Sequence, residues 1–205
     1  CKTVVYSPVI MPRWSRVYTL AVTGVSQLTM KAKADGNKVD KDGNLTTDTK
    51  EAVGSALIGQ DFTEDCYFQG RVSAVNYNTY TEEQKESGEY AGVASGSYNY
   101  ANSNPELKER MEKDLEQFLK EHPGVKAEDV PAELLTASGS GLDPHISSES
   151  AEVQIPTVAK NSGLSEEEVK KIVEENTEKK TLGVFGEERV NVLGCNLDIA
   201  AAMGK

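Results

Sequence analysis

The sequence predicts an α+β fold, one mixed domain behind a single N-terminal helix. Three observations lead there. Asn104 to His122 carries Leu107, Met111, Leu115, Phe118 and Leu119 as an apolar stripe at helical spacing. Ser165-Glu-Glu-Glu168 is a capping box that opens a second helix. Between and after these lie short apolar runs bounded by Gly, Asn, Ser and Pro, the pattern of short strands. A chain of 205 residues is long enough for one sizeable core.

In chain order, residues 1–30 form an N-terminal anchor-like segment, 31–50 a linker, and 51–200 the α+β domain. Val17 to Leu28 is apolar but short, since a membrane span needs roughly 20 such residues. Pro8, Pro12, Arg13, Trp14, Ser15 and Arg16 interrupt the apolar residues upstream. From residue types alone this is a buried or interfacial helix. Arg13 and Arg16 favour a cytoplasmic N-terminus if the segment inserts, with the domain then outside. Cys1 raises lipid attachment as an alternative, without a signal segment to support it. Asp35-Gly36 and Asp42-Gly43 are turn signals in the linker, which reads as a linker or a loose hairpin.

Ala52 to Phe62 reads as a short strand and turn. Asn76 to Asn102 is rich in Tyr, Ser, Gly and Asn, with Tyr77, Tyr80, Tyr90, Tyr98 and Tyr100 in no regular period, so it reads as an irregular surface loop. Asn104 caps the central helix and Pro105 suits its first turn. His122-Pro-Gly124 ends it, with His122 expected as a solvated helix-end residue. Leu134-Leu135 reads as a short buried strand. Ser148 to Lys160 reads as a helix that Pro156 kinks or splits. Leu164 and Val169 are placed for a hydrophobic staple on the next helix, with Val169, Ile172 and Val173 inward. Thr181 to Leu197 alternates like a hairpin, and Ala200 to Lys205 reads as a frayed tail.

The net charge is −11, from 33 acidic and 22 basic side chains, which argues against nucleic acid as a partner. Cys1, Cys66 and Cys195 form no CxxC pair, so no zinc site is expected and buried free thiols are. The chain has no Asp-Lys-Thr-Gly phosphorylation motif and no P-loop, hence no ATP-hydrolysing site of its own is expected. Arg71 can bond a carboxylate or phosphate bidentately, and with acids in excess an internal acid is the expected partner.

The least ordinary stretch is Thr136-Ala-Ser-Gly-Ser-Gly-Leu-Asp-Pro-His-Ile-Ser147. Its small residues allow close backbone approach, Asp143-Pro144 stops regular structure, and Ser147 or Ser148 can cap a following helix. Three readings remain open on the residues alone. The Ser and Asp side chains can bond the loop's own backbone. The loop can cradle an anion with backbone N–H groups. Ser138 or Ser140 with His145 can serve a hydrolase, although Gly139-Ser140-Gly141 lacks the spacing of a nucleophile elbow.

Leu135 to Ser147 resembles the signature of the C subunit family of the Kdp potassium-transporting ATPase. Other blocks agree in order. Gly54-Ser-Ala-Leu-Ile-Gly-Gln60 and Tyr67-Phe-Gln-Gly-Arg-Val-Ser-Ala74 resemble the family's first two soluble motifs. Ser103-Asn-Pro105 is similar to the start of its central helix, and Arg189 to Leu197 to its C-terminal strand. Tyr18, Leu20, Ala21, Val22, Thr23, Gly24 and Gln27 are similar to the second half of its membrane helix, whereas the first half does not match.

The resemblance implies a non-catalytic subunit of an ATP-driven potassium uptake complex. It would act in assembly and as a catalytic chaperone that raises the ATP affinity of the ATPase subunit. The implied partners are a potassium-channel-like subunit, an ATP-hydrolysing subunit and the membrane, in a bacterial cell membrane with one pass and an extracytoplasmic domain. ATP would act through the ATPase subunit, with no cofactor and no metal held by this chain. The implied site is the signature loop: Thr136, Ser138, Gly139, Ser140, Gly141, Asp143, Pro144, His145 and Ser147. Ser55, Gln60, Phe62, Tyr67, Phe68, Gly70, Arg71, Asn104, Pro105 and Asn191 complete the family motifs. A serine-dependent hydrolase and a stand-alone extracytoplasmic binding protein are the alternatives.

Overall fold

The computed structural model describes residues 2–87 and 94–204, with side chains from residue 14 onward except at 82 and 85. Cys1, Tyr90 and Lys205 lie outside the described residues. The chain divides into two compact units, Cys1–Ser55 and Ala56–Lys205.

In the first unit, helix α1 (Lys2–Thr29) is continuous. Among the described residues no helix is long and apolar enough to cross a membrane. Trp14, Val17, Tyr18, Leu20, Val22, Val25 and Leu28 are exposed. Of the two readings of the polar stretch, a linker or a loose hairpin, the structure is nearer the hairpin. The stretch forms α2 (Lys31–Ala34) and strand β1 (Lys38–Val39), which pairs antiparallel with β2 (Gly54–Ser55). The intervening turn is closed by side chains: Asp40 Oδ1 accepts from the backbone N–H of Asp42 and Asn44, both at 2.9 Å. Asx bonding of this kind builds a turn without any apolar pattern for a sequence reading to detect.

The second unit is mixed helix and strand. A helix α3 (Glu82–Glu86), capped by Thr81 and Gln84, interrupts the segment expected to be wholly irregular. The central helix α4 (Pro105–Glu121) starts as expected, with Asn104 Oδ1 accepting from Glu106 N at 2.9 Å. His122 departs from expectation. Only 2% of it is exposed, and its ring stacks on Phe118 at 4.1 Å. One helical turn separates the two residues, so the chain's exit from the helix lays the ring on Phe118 and not in water.

Leu134 and Leu135 are buried as expected but sit in a 3-10 turn, Ala132–Leu135, not a strand. The reason is geometric: successive strand side chains face opposite ways, and a tight turn after Pro131 can direct both inward. Strand β3 (His145–Ile146) follows the signature loop. Pro156 splits the next helical stretch into α5 (Ser148–Glu152) and α6 (Ile155–Ser162), with Gly163 in the left-handed conformation ending the latter. Helix α7 (Glu166–Glu175) carries the expected capping box of Ser165 and Glu168.

Strands β4 (Thr177–Glu178) and β5 (Arg189–Asn191) complete a three-stranded antiparallel sheet in the order β3-β5-β4. The expected hairpin over Thr181 to Leu197 is thus only partly present. Thr181 and Phe185 form one bridge, but Val192–Ala202 is helix α8, which also absorbs the start of the tail read as frayed. Val192, Cys195, Asn196 and Ile199 are its buried residues at helical spacing, and Asn191 supplies the cap by accepting from Gly194 N at 2.9 Å. Val190 and Val192 mimic strand alternation only because β5 runs directly into the helix. Phe68, Phe118, Ile146, Ile155, Val158, Val169, Val190 and Ile199 centre the core, with Leu164 packed against it.

Candidate functional site

The signature loop is where five separate segments of the second unit meet. Ala137 bridges Val72, and Ser138 N donates to Val72 O at 3.2 Å. The carbonyl of Ser140 accepts from Gly96 N at 2.8 Å and from Ser95 Oγ at 3.0 Å. The carbonyl of Gly141 accepts from Ser73 Oγ at 2.6 Å, and that of Leu142 from Gly59 N at 2.9 Å. Pro144 O accepts from Val192 N at 3.0 Å, while His145 lies opposite Asn191 in the sheet. Ser147 N donates to Glu133 Oε1 at 2.6 Å, and Ser147 Oγ caps α5 by accepting from Ser150 N.

The loop's own side chains are turned to the same purpose. Ser138 is buried and its Oγ accepts from Gly141 N at 2.8 Å. Ser140 Oγ accepts from Leu142 N at 3.1 Å. Gly141 has φ +67, and a Cβ there would lie 2.8 Å from Gly96 O and 2.7 Å from Val75 Cγ2, so glycine is required. Gly139 meets no such neighbour. Thr136 ends the 3-10 turn in extended backbone.

Asp143 joins this loop to the second motif. Its Oδ1 accepts from His145 N at 3.1 Å and stands 3.5 Å from His145 Nδ1, while its Oδ2 lies 3.3 Å from Arg71 Nη1. The acid expected for Arg71 is therefore Asp143. The His145 side chain, acting with its backbone N–H and with Arg71, holds the Asp143 carboxyl below its ordinary range despite partial burial. Burial alone would raise Glu133, but hydrogen bonds from Ser150 and Ser147 outweigh it and bring that carboxyl down. Tyr77 Oη donates to Arg71 O at 2.5 Å. Burial, then Asp143 and Asp61, pushes its phenol up to about 12.

A cavity of about 210 Å³ opens beside this pair, with Gln69, Arg71, Tyr77, Asp114, Phe118 and Glu121 in its wall. Gly70 packs under Tyr77, since a Cβ there would meet the phenol oxygen at 2.8 Å. Phe62 and Tyr67 rings sit 6.1 Å apart, Phe68 is in the core, and Gln60 is half-buried beside Gly59. Asn191 Nδ2 donates to Ala56 O at 2.8 Å. Asn104 and Pro105 act at the start of α4. Ser55 belongs to the first unit, where its Oγ donates to Gly36 O at 2.6 Å.

Two buried amides missed from sequence hold the second motif. Asn196 and Gln154, both at most 2% exposed, bond the backbone of Phe68 and Gln69. The available signal was position: each is polar at an inward helical or helix-flanking site, and such a group needs a partner. The thiol of Cys195 is buried and pushed up to about 12, by burial first and then by Asp198, so it is an inert packing group. Among the described residues no group of His, Cys, Asp and Glu could hold a metal ion. No hydrogen bond joins Ser138 or Ser140 to His145 among the described residues.

The second unit is thus a mixed helix-and-strand module whose signature loop is spent on joining its own segments. The model of one family, described as "K+-transporting ATPase, c chain", matches residues 2–201. The chain belongs to that family, and is thus an accessory subunit of the potassium-transporting ATPase and not its catalytic chain. It is 53% identical over 193 residues to a potassium-transporting ATPase KdpC subunit of Clostridioides difficile, covering 92% of this chain and 89% of the relative. It is 55% identical over 187 residues to that of Clostridium kluyveri, covering 91% and 86%. It is 43% identical over 204 residues to that of Caldanaerobacter subterraneus, covering 100% and 95%. Membership sets aside the hydrolase alternative. As a Kdp subunit the chain is membrane-associated.

Proposed function

We propose that this chain is the assembly subunit of a high-affinity potassium uptake complex, where it contacts a potassium-conducting subunit and raises the ATP affinity of the ATP-hydrolysing subunit. The observation that carries this is the signature loop. Its serine hydroxyls and the Asp143 carboxylate are engaged within the unit, so the loop acts by holding a shape and not by donating groups to a nucleotide. A rigid surface of this kind suits subunit docking. An effect on ATP affinity then needs only that the docked subunit favour one conformation of the ATPase. Although α1 by itself is not long and apolar enough to cross a membrane, its exposed Trp14, Val17, Tyr18, Leu20, Val22, Val25 and Leu28 suit a one-pass anchor packed against partner subunits within the bilayer, with the second unit on the extracytoplasmic side as the arginines before Val17 favour.

The test is purification of this chain from mild-detergent membranes with co-expressed channel-like and ATPase subunits of a Kdp system, beside an Asp143→Ala/Arg71→Ala variant. Recovery of both partners in equal amounts supports the reading, and a raised KM for ATP in the variant complex supports the chaperone role. Recovery of the chain alone overturns it.

A further inference from the structure

Residues 178–189 form an arm in which every residue is exposed. At its tip Leu182, Val184 and Phe185 are 85%, 75% and 65% exposed. Nothing in the fold accounts for these residue types. They lie outside the core, and the turn itself disfavours one of them. Leu182 has φ +56 and Gly183 φ +74, the consecutive positive values of a primed hairpin turn, where Asn or Gly suits the first place and a leucine is strained. The tip therefore sets an apolar side chain where both solvent and backbone oppose it. Strain held at an exposed apolar tip marks a contact made outside the chain.

Four backbone hydrogen bonds hold the tip together and leave the apex carbonyls of Leu182, Gly183 and Val184 to the interfacial layer, where water and headgroups still meet them. Thr181 N donates to Phe185 O at 2.8 Å, Gly183 N to Lys180 O at 3.0 Å, Val184 N to Thr181 O at 3.3 Å and Phe185 N to Thr181 O at 3.0 Å. Peptide groups already bonded to one another lose little on leaving water. Charge distinguishes the arm from the rest of the surface. The chain carries −11, whereas the stem balances Lys179, Lys180 and Arg189 against Glu178, Glu187 and Glu188. Arg189 and Glu178 are moreover paired with each other across the strands. Lys179 and Lys180 stand immediately before the turn, where their ammonium groups can reach phosphates while the tip enters a less polar layer.

The geometry points to a membrane-dipping turn: Leu182, Val184 and Phe185 enter the interfacial layer of the lipid bilayer, with Lys179 and Lys180 at the level of the headgroups. This contact is separate from any made by α1. It rests on the membrane association of the family and goes beyond it in naming the residues of the second unit that meet lipid.

The test uses the full chain with Trp14→Phe and Phe185→Trp, which leaves one indole, at the tip. The substitution site is solvent-exposed, so folding is kept, and circular dichroism checks it. The protein is added to vesicles of phosphatidylcholine and phosphatidylglycerol with and without bromine on the acyl chains, and vesicle binding is followed by flotation. A blue shift of the indole emission on floating vesicles, with loss of intensity on brominated lipid, is the expected result, and adding Val184→Ser and Leu182→Ser should reverse both. A chain that floats while its indole stays at the water-exposed wavelength overturns the inference and leaves the subunit reading intact. Absence of flotation overturns it too. A blue shift seen only after adding the other Kdp subunits, and unquenched by bromine, replaces lipid with a protein contact.

Discussion

Asn196 and Phe68, 128 positions apart, exchange two hydrogen bonds: Phe68 N donates to Asn196 Oδ1 at 2.8 Å, and Asn196 Nδ2 donates to Phe68 O at 2.9 Å. The side-chain amide acts as one rung of a sheet that the backbone does not make. Gln154 repeats the arrangement on Gln69, with its Oε1 accepting at 2.8 Å and its Nε2 donating at 3.3 Å. Asn196 on α8 and Gln154 at the start of α6 thereby pin Phe68 and Gln69 of the Tyr67–Ala74 motif. Asn196→Leu removes the partners of both the N–H and the C=O of buried Phe68, so it should cost about 3 kcal/mol, read as a lowered urea midpoint with unchanged slope. Unchanged stability would refute the clamp.

Two glycines of one loop should behave oppositely. Gly141→Ala places a Cβ 2.8 Å from Gly96 O at φ +67 and should cost about 2 kcal/mol or more. Gly139→Ala meets nothing within 4 Å and should stay within about 0.5 kcal/mol of the parent. Thermal melts of the two single variants decide the matter, and equal losses would contradict the loop geometry.

Acid should weaken the fold through Asp143 and Glu133. Both carboxyls are lowered in the folded state, so the unfolded chain binds their protons first as pH falls. Their contribution is whole above the unfolded value of about 4 and is lost as pH drops through the folded values. Asp143→Asn should flatten this acid limb in a pH series of urea midpoints. An unchanged limb would show that the Arg71 and His145 contacts do not act on stability.

His122 gives a second, separate pH window. Its two ring nitrogens are buried without a hydrogen-bond partner, and burial lowers its pKa although Glu121 and Asp65 oppose the shift. The folded state therefore favours the neutral ring. This contribution is present above the unfolded value of about 6.5 and is lost as pH falls through the folded one. His122→Phe keeps the stack on Phe118 and removes two unpaired polar atoms, so it should raise stability by about 1 kcal/mol and abolish the dependence that sets in below pH of about 6.5, leaving only the carboxylate limb below about 4. A destabilised variant would mean that the ring is bonded after all.

Leu182→Asn should stabilise the chain by about 1 kcal/mol, because Asn tolerates positive φ and no packing is lost at an exposed site. A melt at or below the parent value would mean that the turn is not strained. The same substitution should weaken the vesicle contact of the tip.

Legibility followed locality. The helix from Asn104 and the capping box at Ser165 are written in residues within one turn of each other, so the sequence shows them directly. The split at Pro156 is equally local, because a ring on the backbone acts where it stands. Leu134–Leu135 and Val192 onward read as strand because a run of two or three apolar residues has the same look in a strand, a 3-10 turn or the first turn of a helix. The deciding facts are the Asn191 cap and the tight turn after Pro131 that lets both leucines face inward, neither of which a short run reveals.

By itself the sequence determined the class, the family blocks in their order, the acidic surface, the central helix and the helix caps, since each rests on residue types at short range. Only the tertiary structure decided that Arg71 meets Asp143, that His122 is buried, that Asn196 and Gln154 replace a missing strand partner, and that Leu182 is strained and outward. These are relations between residues brought together or turned outward by folding. Burial and hydrogen-bond partnership belong to the folded chain as a whole, because closing loops of 70 to 130 residues costs little more than closing short ones and leaves no mark in local composition.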